Sequence, residues 1–255
     1  MFRFLSNSLD ESLAFLFSPS CPICELFTGS VGLCSRCSVF SEVGEEICCF
    51  CSRPQISCTL GNQECKKRWG NLVESVRSPW WLNEEAKRLL FLIKFQKRFE
   101  WMSVFRERLL NIALPDELRG GVLVPVPVHP KRLLGRGFNQ TEILAHYLSL
   151  SWNIEVEYRL KKVKETRAQS QMTRAERSRN LIDSFEWDDC KTPPPKVILV
   201  DDVFTTGETV RRCASVLKER GAKLVFVWAL FRTIPHNEGL EMASSFRGLT
   251  QKKSN

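Results

Sequence analysis

Apolar residues in the second half of the chain alternate between two spacings. Residues 122–128, Val-Leu-Val-Pro-Val-Pro-Val, form a short continuous run. Such a run predicts a buried strand. Residues 139–150 carry Ile143, Leu144, Tyr147 and Leu148, the repeat of a helix with one buried face. Residues 197–200, Val-Ile-Leu-Val, are a second buried run, of the parallel-sheet type. A helix follows with Val210, Cys213, Ala214 and Leu217 on one face, Gly221 ends it, and residues 224–229 give a further strand. Strand and helix in this alternation predict an α/β fold, a mainly parallel sheet flanked by helices.

Earlier in the chain, Ala86, Leu89, Leu90 and Ile93 predict a helix over Glu84–Phe95. Trp101, Val104, Phe105, Leu109 and Ile112 suggest another, with Pro115 beyond its end. Lys87, Arg88, Lys94, Lys97 and Arg98 lie between these apolar positions. They read first as long cations lying along helices that cover a sheet edge, and second as a contact for nucleic acid. At the start, Phe4, Leu5, Leu9, Leu13 and Phe17 fall near one face of an amphipathic helix that packs on its own protein. A secretory signal fits poorly, because Asp10 and Glu11 interrupt the stretch and no small-residue cleavage site follows. No window holds the roughly 18 uninterrupted apolar residues of a membrane span. The expected location is cytoplasmic.

Composition sharpens this picture in two ways. With 43% apolar and 26% charged residues in 255, the chain is of ordinary globular type and long enough to bury a core. The net charge of +8 implies an anionic partner: a nucleotide, a nucleic acid or a membrane surface. The second change comes from the cysteines. Nine of the eleven lie between positions 21 and 65, which predicts two domains: 1–68 and 69–255, with a flexible tail over 236–255.

Cys21-Pro-Ile-Cys24 and Cys34-Ser-Arg-Cys37 are two C-x2-C pairs. Each pair aims two thiolates at one point, and two pairs complete the four-sulfur tetrahedron that Zn²⁺ accepts. Cys48 and Cys51 form a third pair, with Cys58 and Cys65 as completing ligands and Cys49 as the spare. Disulfides fit poorly in a chain without a secretory signal, and three such pairs outside a βαβ unit do not read as a redox motif. Either site would be structural, because four protein ligands leave no open position. In a ribbon this small, metal would supply much of the folding energy.

The densest chemistry lies at 200–209, Val-Asp-Asp-Val-Phe-Thr-Thr-Gly-Glu-Thr. Asp201 and Asp202 are expected at the carboxyl end of a strand, where open α/β sheets bind ligands. Adjacent carboxylates there suit vicinal sugar hydroxyls with a divalent ion nearby. Residues 205–209 form a turn whose N–H groups and hydroxyls can cradle a phosphate, Gly207 permits close approach, and the next helix points its N-terminus at the anion. The strand at 122–128 runs into a basic loop at 129–132, His-Pro-Lys-Arg, extended by Arg136-Gly-Phe-Asn139. Residues 161–180 carry seven Lys/Arg against two Glu. That segment is either a solvated surface or a lid over a polyphosphate.

Residues 201–209 resemble the phosphoribosyl pyrophosphate (PRPP) signature of type I phosphoribosyltransferases. The whole chain is similar to the ComF (GntX, competence protein F) family in its paired cysteines, in VPVPVHPKRLLGRGFNQ at 124–140, in TRAQSQMTRAERSRN at 166–180 and in VDDVFTTGET at 200–209. The resemblance implies a phosphoribosyltransferase domain behind a double zinc ribbon. It implies that Asp201 and Asp202 are the catalytic pair, holding the ribose hydroxyls of PRPP. Val203, Thr205, Thr206, Gly207, Glu208 and Thr209 would form the 5′-phosphate site. Lys131 and Arg132 would meet the pyrophosphate, and 166–180 would be the flexible loop. The implied reaction is displacement of pyrophosphate from ribose C1 by a nitrogen acceptor, with Mg²⁺ neutralising the leaving group. The family link to DNA uptake in natural competence implies single-stranded DNA and competence-machinery proteins as partners. The competing expectation is a non-catalytic binding module that uses the same fold.

Overall fold

The computed structural model describes residues 20–29, 32–44, 48, 50, 65, 69, 71–164 and 184–233. The expected N-terminal helix, Cys49, Cys51, Cys58, the basic segment from 165 to 183 and the 236–255 tail lie outside the described residues.

The centre is a parallel sheet. Strands β1 (Val76–Arg77) and β2 (Trp80–Trp81) both pair with β7 (Leu224–Arg232). β7 pairs with β6 (Lys196–Phe204), and β6 with β3 (Val122–Pro125). The chain at 155–157 extends the sheet beyond β3, with Leu123 N donating to Glu155 O at 2.9 Å and Glu157 N to Leu123 O at 2.8 Å. A separate antiparallel pair, β4 (Leu160–Lys162) and β5 (Phe185–Trp187), packs on one face. Among the described residues no helix is long and apolar enough to cross a membrane.

Alternation along the strands sorts the core into two layers. Val197 and Leu199 of β6, with Val124, Val126, Val225 and Val227, face helix α5 (Glu208–Glu219) and the β4–β5 pair. Ile198 and Val200, with Leu123, Phe226, Trp228 and Leu230, face α1 (Glu84–Phe95), α2 (Ser103–Leu110) and α4 (Gln140–Trp152). Each such side chain removed from water contributes about 1.5–3 kcal/mol. This two-sided burial explains why β6 reads as a continuous apolar run.

The expected helix over Glu84–Phe95 forms as α1. Asn83 caps it by accepting from Ala86 N at 2.8 Å, Glu84 and Glu85 lie in the first turn, and Ala86, Leu89, Leu90 and Ile93 are buried. The helix expected from Trp101 begins as a 3-10 turn at Phe99–Met102 and becomes α-helical only over Ser103–Leu110.

Five features differ from expectation. β3 stops at Pro125, not at 128. The expected basic loop coils into a short helix, α3 (Pro130–Arg136). Proline occupies its first turn, His129 Nδ1 accepts from Lys131 N at 3.3 Å, and Gly137 closes it at φ 90°. α3 buries no residue, so apolar spacing could not announce it. On α4, Ile143 and Tyr147 are only half-buried, while Thr141, Ala145 and Trp152 join Leu144 and Leu148 inside. The cause is the anchor at its start: Thr141 Oγ1 and Asn139 Nδ2 donate to Val126 O at 2.6 and 3.3 Å, which turns the helix face. Finally, β6 continues through Phe204 and β7 through Arg232, beyond the runs at 197–200 and 224–229.

The cysteine-bearing segment is stitched to this body. Trp81 N donates to Ser41 O at 2.8 Å, Val43 N to Pro79 O at 3.0 Å and Arg108 Nη2 to Ser38 O at 2.7 Å. Phe40 inserts among Trp80, Phe105 and Phe231 with ring centroids 5.3–5.9 Å apart.

Candidate functional site

Because β6 runs on to Phe204, Asp201 and Asp202 lie within the strand as adjacent residues near its carboxyl end, and their carboxyls meet at the mouth of one cavity. Asp202 emerges on the α1/α4 side. There Lys94 Nζ forms an ion pair with Asp202 Oδ2, and Gln140 Nε2 donates to the same oxygen at 3.1 Å. Arg136 Nη1 donates to Gln140 Oε1 at 2.6 Å and so fixes which way the amide points. Asp201 emerges on the α5 side, and its Oδ1 accepts from Asp202 N at 2.8 Å.

Burial raises both carboxyls, but their neighbours separate them. For Asp202 the burial cost is outweighed by the Lys94 charge and by hydrogen bonds from Lys94 and Gln140, and its pKa falls below the ordinary range. For Asp201 burial dominates, the Asp202 charge adds to it, and the carboxyl is pushed up to about 7. Lys162, at the root of the segment that leaves β4, is lowered by burial and by the charge of Arg132.

These groups surround one cavity of about 270 Å³. Its floor is the pair Asp201 and Asp202 with Val203. One wall is Thr205 and Thr209, and the other is Val126, Val128, His129 and Arg132. Lys94, Gln140, Thr141 and Lys162 complete it. Lys94, Arg132 and Lys162 thus come to the cavity from three separate elements, α1, α3 and β4, and Lys94 pairs with Asp202. At the 205–209 turn Gly207 has φ 74° and starts α5 with no side-chain cap. A Cβ at Gly207 would lie under 3.0 Å from the Trp69 ring and 2.9 Å from Phe204 Cε2, so the position excludes any side chain.

Of the expected ligand residues, Asp201, Asp202, Val203, Thr205, Thr209 and Arg132 line this cavity. Thr206, Gly207, Glu208 and Lys131 are not in its lining. Glu208 pairs with Arg212 at 3.0 Å, and Lys131 sits on the exposed surface of α3. Lys94, Gln140, His129 and Lys162 were not singled out as ligands. Gln140 ends the Arg-Gly-Phe-Asn-Gln string, which offered a signal. Lys94 offered none, because a cation in the last turn of an amphipathic helix looks like any other.

A second constellation lies in the cysteine-rich segment. The sulfurs of Cys21, Cys24, Cys34 and Cys37 all lie within 4.8 Å of one another, and those of Cys24 and Cys34 are 3.5 Å apart. Tetrahedral zinc with bonds of about 2.3 Å needs sulfurs about 3.8 Å apart, so the set can hold a zinc ion. Local hydrogen bonds shape both knuckles: Glu25 N to Cys21 O at 2.8 Å, Ser38 N to Cys34 O at 2.9 Å, and Cys37 N to Cys34 Sγ at 3.4 Å. Of the second expected set, Cys48 and Cys65 are buried against the α5 side of the sheet.

Competence protein ComFC of Streptococcus pneumoniae is 33% identical to this chain over 206 residues, 78% of this chain and 87% of that protein. The DNA utilization protein YhgH of Salmonella typhimurium is 30% identical over 216 residues, 80% of this chain and 91% of that one. The chain belongs to the competence protein F family. The family's Haemophilus influenzae member, competence protein F, is 34% identical over 158 residues, covering 58% of this chain and 69% of its own. No protein-family model matches the chain. Among solved structures, it is similar to a hypoxanthine phosphoribosyltransferase from Staphylococcus aureus (12% identity, 55% of this chain and 74% of that chain, TM-score 0.32). It is likewise similar to orotate phosphoribosyltransferase from Aeropyrum pernix (20% identity, 65% and 78%, TM-score 0.32).

Proposed function

We propose that the cavity over Asp201 and Asp202 binds PRPP, or a closely related phosphorylated ribose, together with Mg²⁺, and that the chain transfers the phosphoribosyl group to an acceptor during DNA uptake or use. The observation that carries this reading is the convergence in one cavity of two carboxyls, the phosphate turn and three cations from separate elements. Vicinal ribose hydroxyls donate to carboxylates. The 5′-phosphate suits Thr205, Thr209 and the uncapped start of α5. The pyrophosphate suits Arg132 and Lys162.

The donor set also fits magnesium. Lys94 and Gln140 occupy Asp202 Oδ2, while Asp201 Oδ1 accepts from a backbone N–H. The two carboxyls lie side by side, and Mg²⁺ commonly takes one or two carboxylates together with substrate phosphates and water. When bound, it would neutralise charge on the departing pyrophosphate. The chain's own part is electrostatic. Arg132 and Lys162 hold the leaving group, and Asp202, fixed by Lys94, orients the sugar while C1 loses pyrophosphate. The names of the relatives, competence and DNA utilization proteins, support placing this chemistry in DNA uptake or use.

Incubation with PRPP, Mg²⁺ and a panel of bases and amines tests the transfer. Acceptor-dependent pyrophosphate release is expected, and its persistence in the Asp201→Asn/Asp202→Asn double variant would sink the site assignment.

A second reading, a non-catalytic module that binds single-stranded DNA, is favoured by one feature. Phe91, Phe95 and Phe99 are exposed at 53, 67 and 61%, beside Arg88, Lys97 and Arg98. Exposed aromatics among cations suit stacked bases and phosphates. Binding to an oligonucleotide that falls steeply with salt, with no pyrophosphate release, would favour it.

A further inference from the structure

The phosphate turn is supported from behind by a residue that follows directly on the cysteine-rich segment. Trp69 is buried and stacks on Phe204, the last residue of β6, with centroids 5.9 Å apart and planes at 28°. Its six-membered ring fills the space where Gly207 would otherwise carry a side chain. On its other sides, the Arg211 guanidinium of α5 lies 4.6 Å from the Trp69 ring, and Phe50 packs at 6.3 Å. Phe50, Cys48 and Cys65 share this buried cluster with Val210 and Cys213 of α5.

Two physical facts make this contact more than filling. Gly207 holds φ 74°, a left-handed conformation, in a turn whose neighbours Thr205 and Thr206 are exposed. Glycine populates many other conformations with similar ease. Something outside the turn must therefore select this one, and the Trp69 ring and Phe204 are the nearest side chains to the Gly207 Cα substituent position. The geometry points to Trp69 as a positioning residue: its ring holds the 205–209 turn in the shape that receives the 5′-phosphate, with Phe50, Cys48 and Cys65 of the cysteine-rich segment packed in the same cluster behind it. This inference rests on the phosphoribosyl reading above.

The test uses the full chain with Mg²⁺ and two probes, ribose 5-phosphate and inorganic pyrophosphate, titrated by calorimetry. Trp69→Ala is expected to weaken ribose 5-phosphate by about tenfold or more and to leave pyrophosphate within about twofold. Trp69→Phe, which keeps the stack, should recover most of the loss. Without ligand, amide exchange at 205–209 should quicken in Trp69→Ala while 197–200 stays protected. If Trp69→Ala does not fold, Trp69→Leu keeps apolar volume without the ring plane and carries the same expectation. Equal weakening of both probes, or unchanged ribose 5-phosphate affinity, would overturn the proposal alone. A wild-type chain that binds neither probe would overturn the phosphoribosyl reading, and the proposal with it.

Discussion

The knuckles at 21–37 and the pocket at Asp201 and Asp202 both gather groups that repel one another when ionised, four sulfurs in one and two carboxyls in the other. They hold them in different ways. The knuckles draw all their ligands from one short segment and shape them by local backbone hydrogen bonds. The pocket draws its compensation from the protein. Lys94 comes from α1, Gln140 from α4, Arg132 from α3 and Lys162 from β4, all packed around one long strand. A local set of thiolates needs an ion to offset its repulsion, whereas in the pocket Lys94 and Gln140 offset the Asp202 charge when the fold forms, and burial beside Asp202 pushes the Asp201 carboxyl up to about 7.

That contrast can be broken most forcefully at the knuckles. Cys34→Ser is expected to abolish zinc retention there, read by metal analysis, and to expose 20–43 to exchange. Structural zinc is worth about 10–16 kcal/mol in small finger peptides, so no other single change should cost that segment as much. In the pocket the corresponding lesion is removal of a partner. Lys94→Met leaves Asp202 buried beside Asp201 without its cation. It should lower stability by about 3–5 kcal/mol in urea unfolding, and adding Asp202→Asn should recover most of it. Failure of that recovery would show that the compensation does not run through this pair.

Gly207→Ala comes next. The left-handed backbone costs about 1–2 kcal/mol and the crowding against Trp69 about 1–3 kcal/mol, so a loss of roughly 2–5 kcal/mol is expected. The most gradual effect is in pH. The folded Asp201 pKa of about 7 lies above the unfolded carboxyl value near 4, so the folded chain binds the extra proton between them. Stability contributed by that proton is present at low pH and lost as pH rises toward 7, with a slope of at most about 1.4 kcal/mol per pH unit. Asp201→Asn should flatten that slope. Over the same range affinity for Mg²⁺ with ribose 5-phosphate should rise as Asp201 ionises.

The contrast also governs what could be read without coordinates. Cysteine spacing announces the first knuckle pair because its ligands are near neighbours in sequence. The continuous run of β6 and the buried face of α5 announce the strand and helix that frame the turn. Lys94 could not be read in this way, since nothing in Glu84–Phe95 marks one lysine as facing a carboxylate more than a hundred residues later. The placing of Asp201 and Asp202 inside β6 was hidden because the apolar run ends before them. Helix α3 was hidden because Leu133 and Leu134 are exposed and carry no periodic signal. Trp69 reads as one aromatic among many until its ring is seen against Gly207.

The most direct test of the central claim is calorimetric titration of PRPP with Mg²⁺ into the full chain and into the Asp201→Asn/Asp202→Asn variant. Saturable, magnesium-dependent binding at one site per chain, lost in the variant, is the predicted result. Absence of binding to a folded wild-type chain, or equal binding by both, would contradict it.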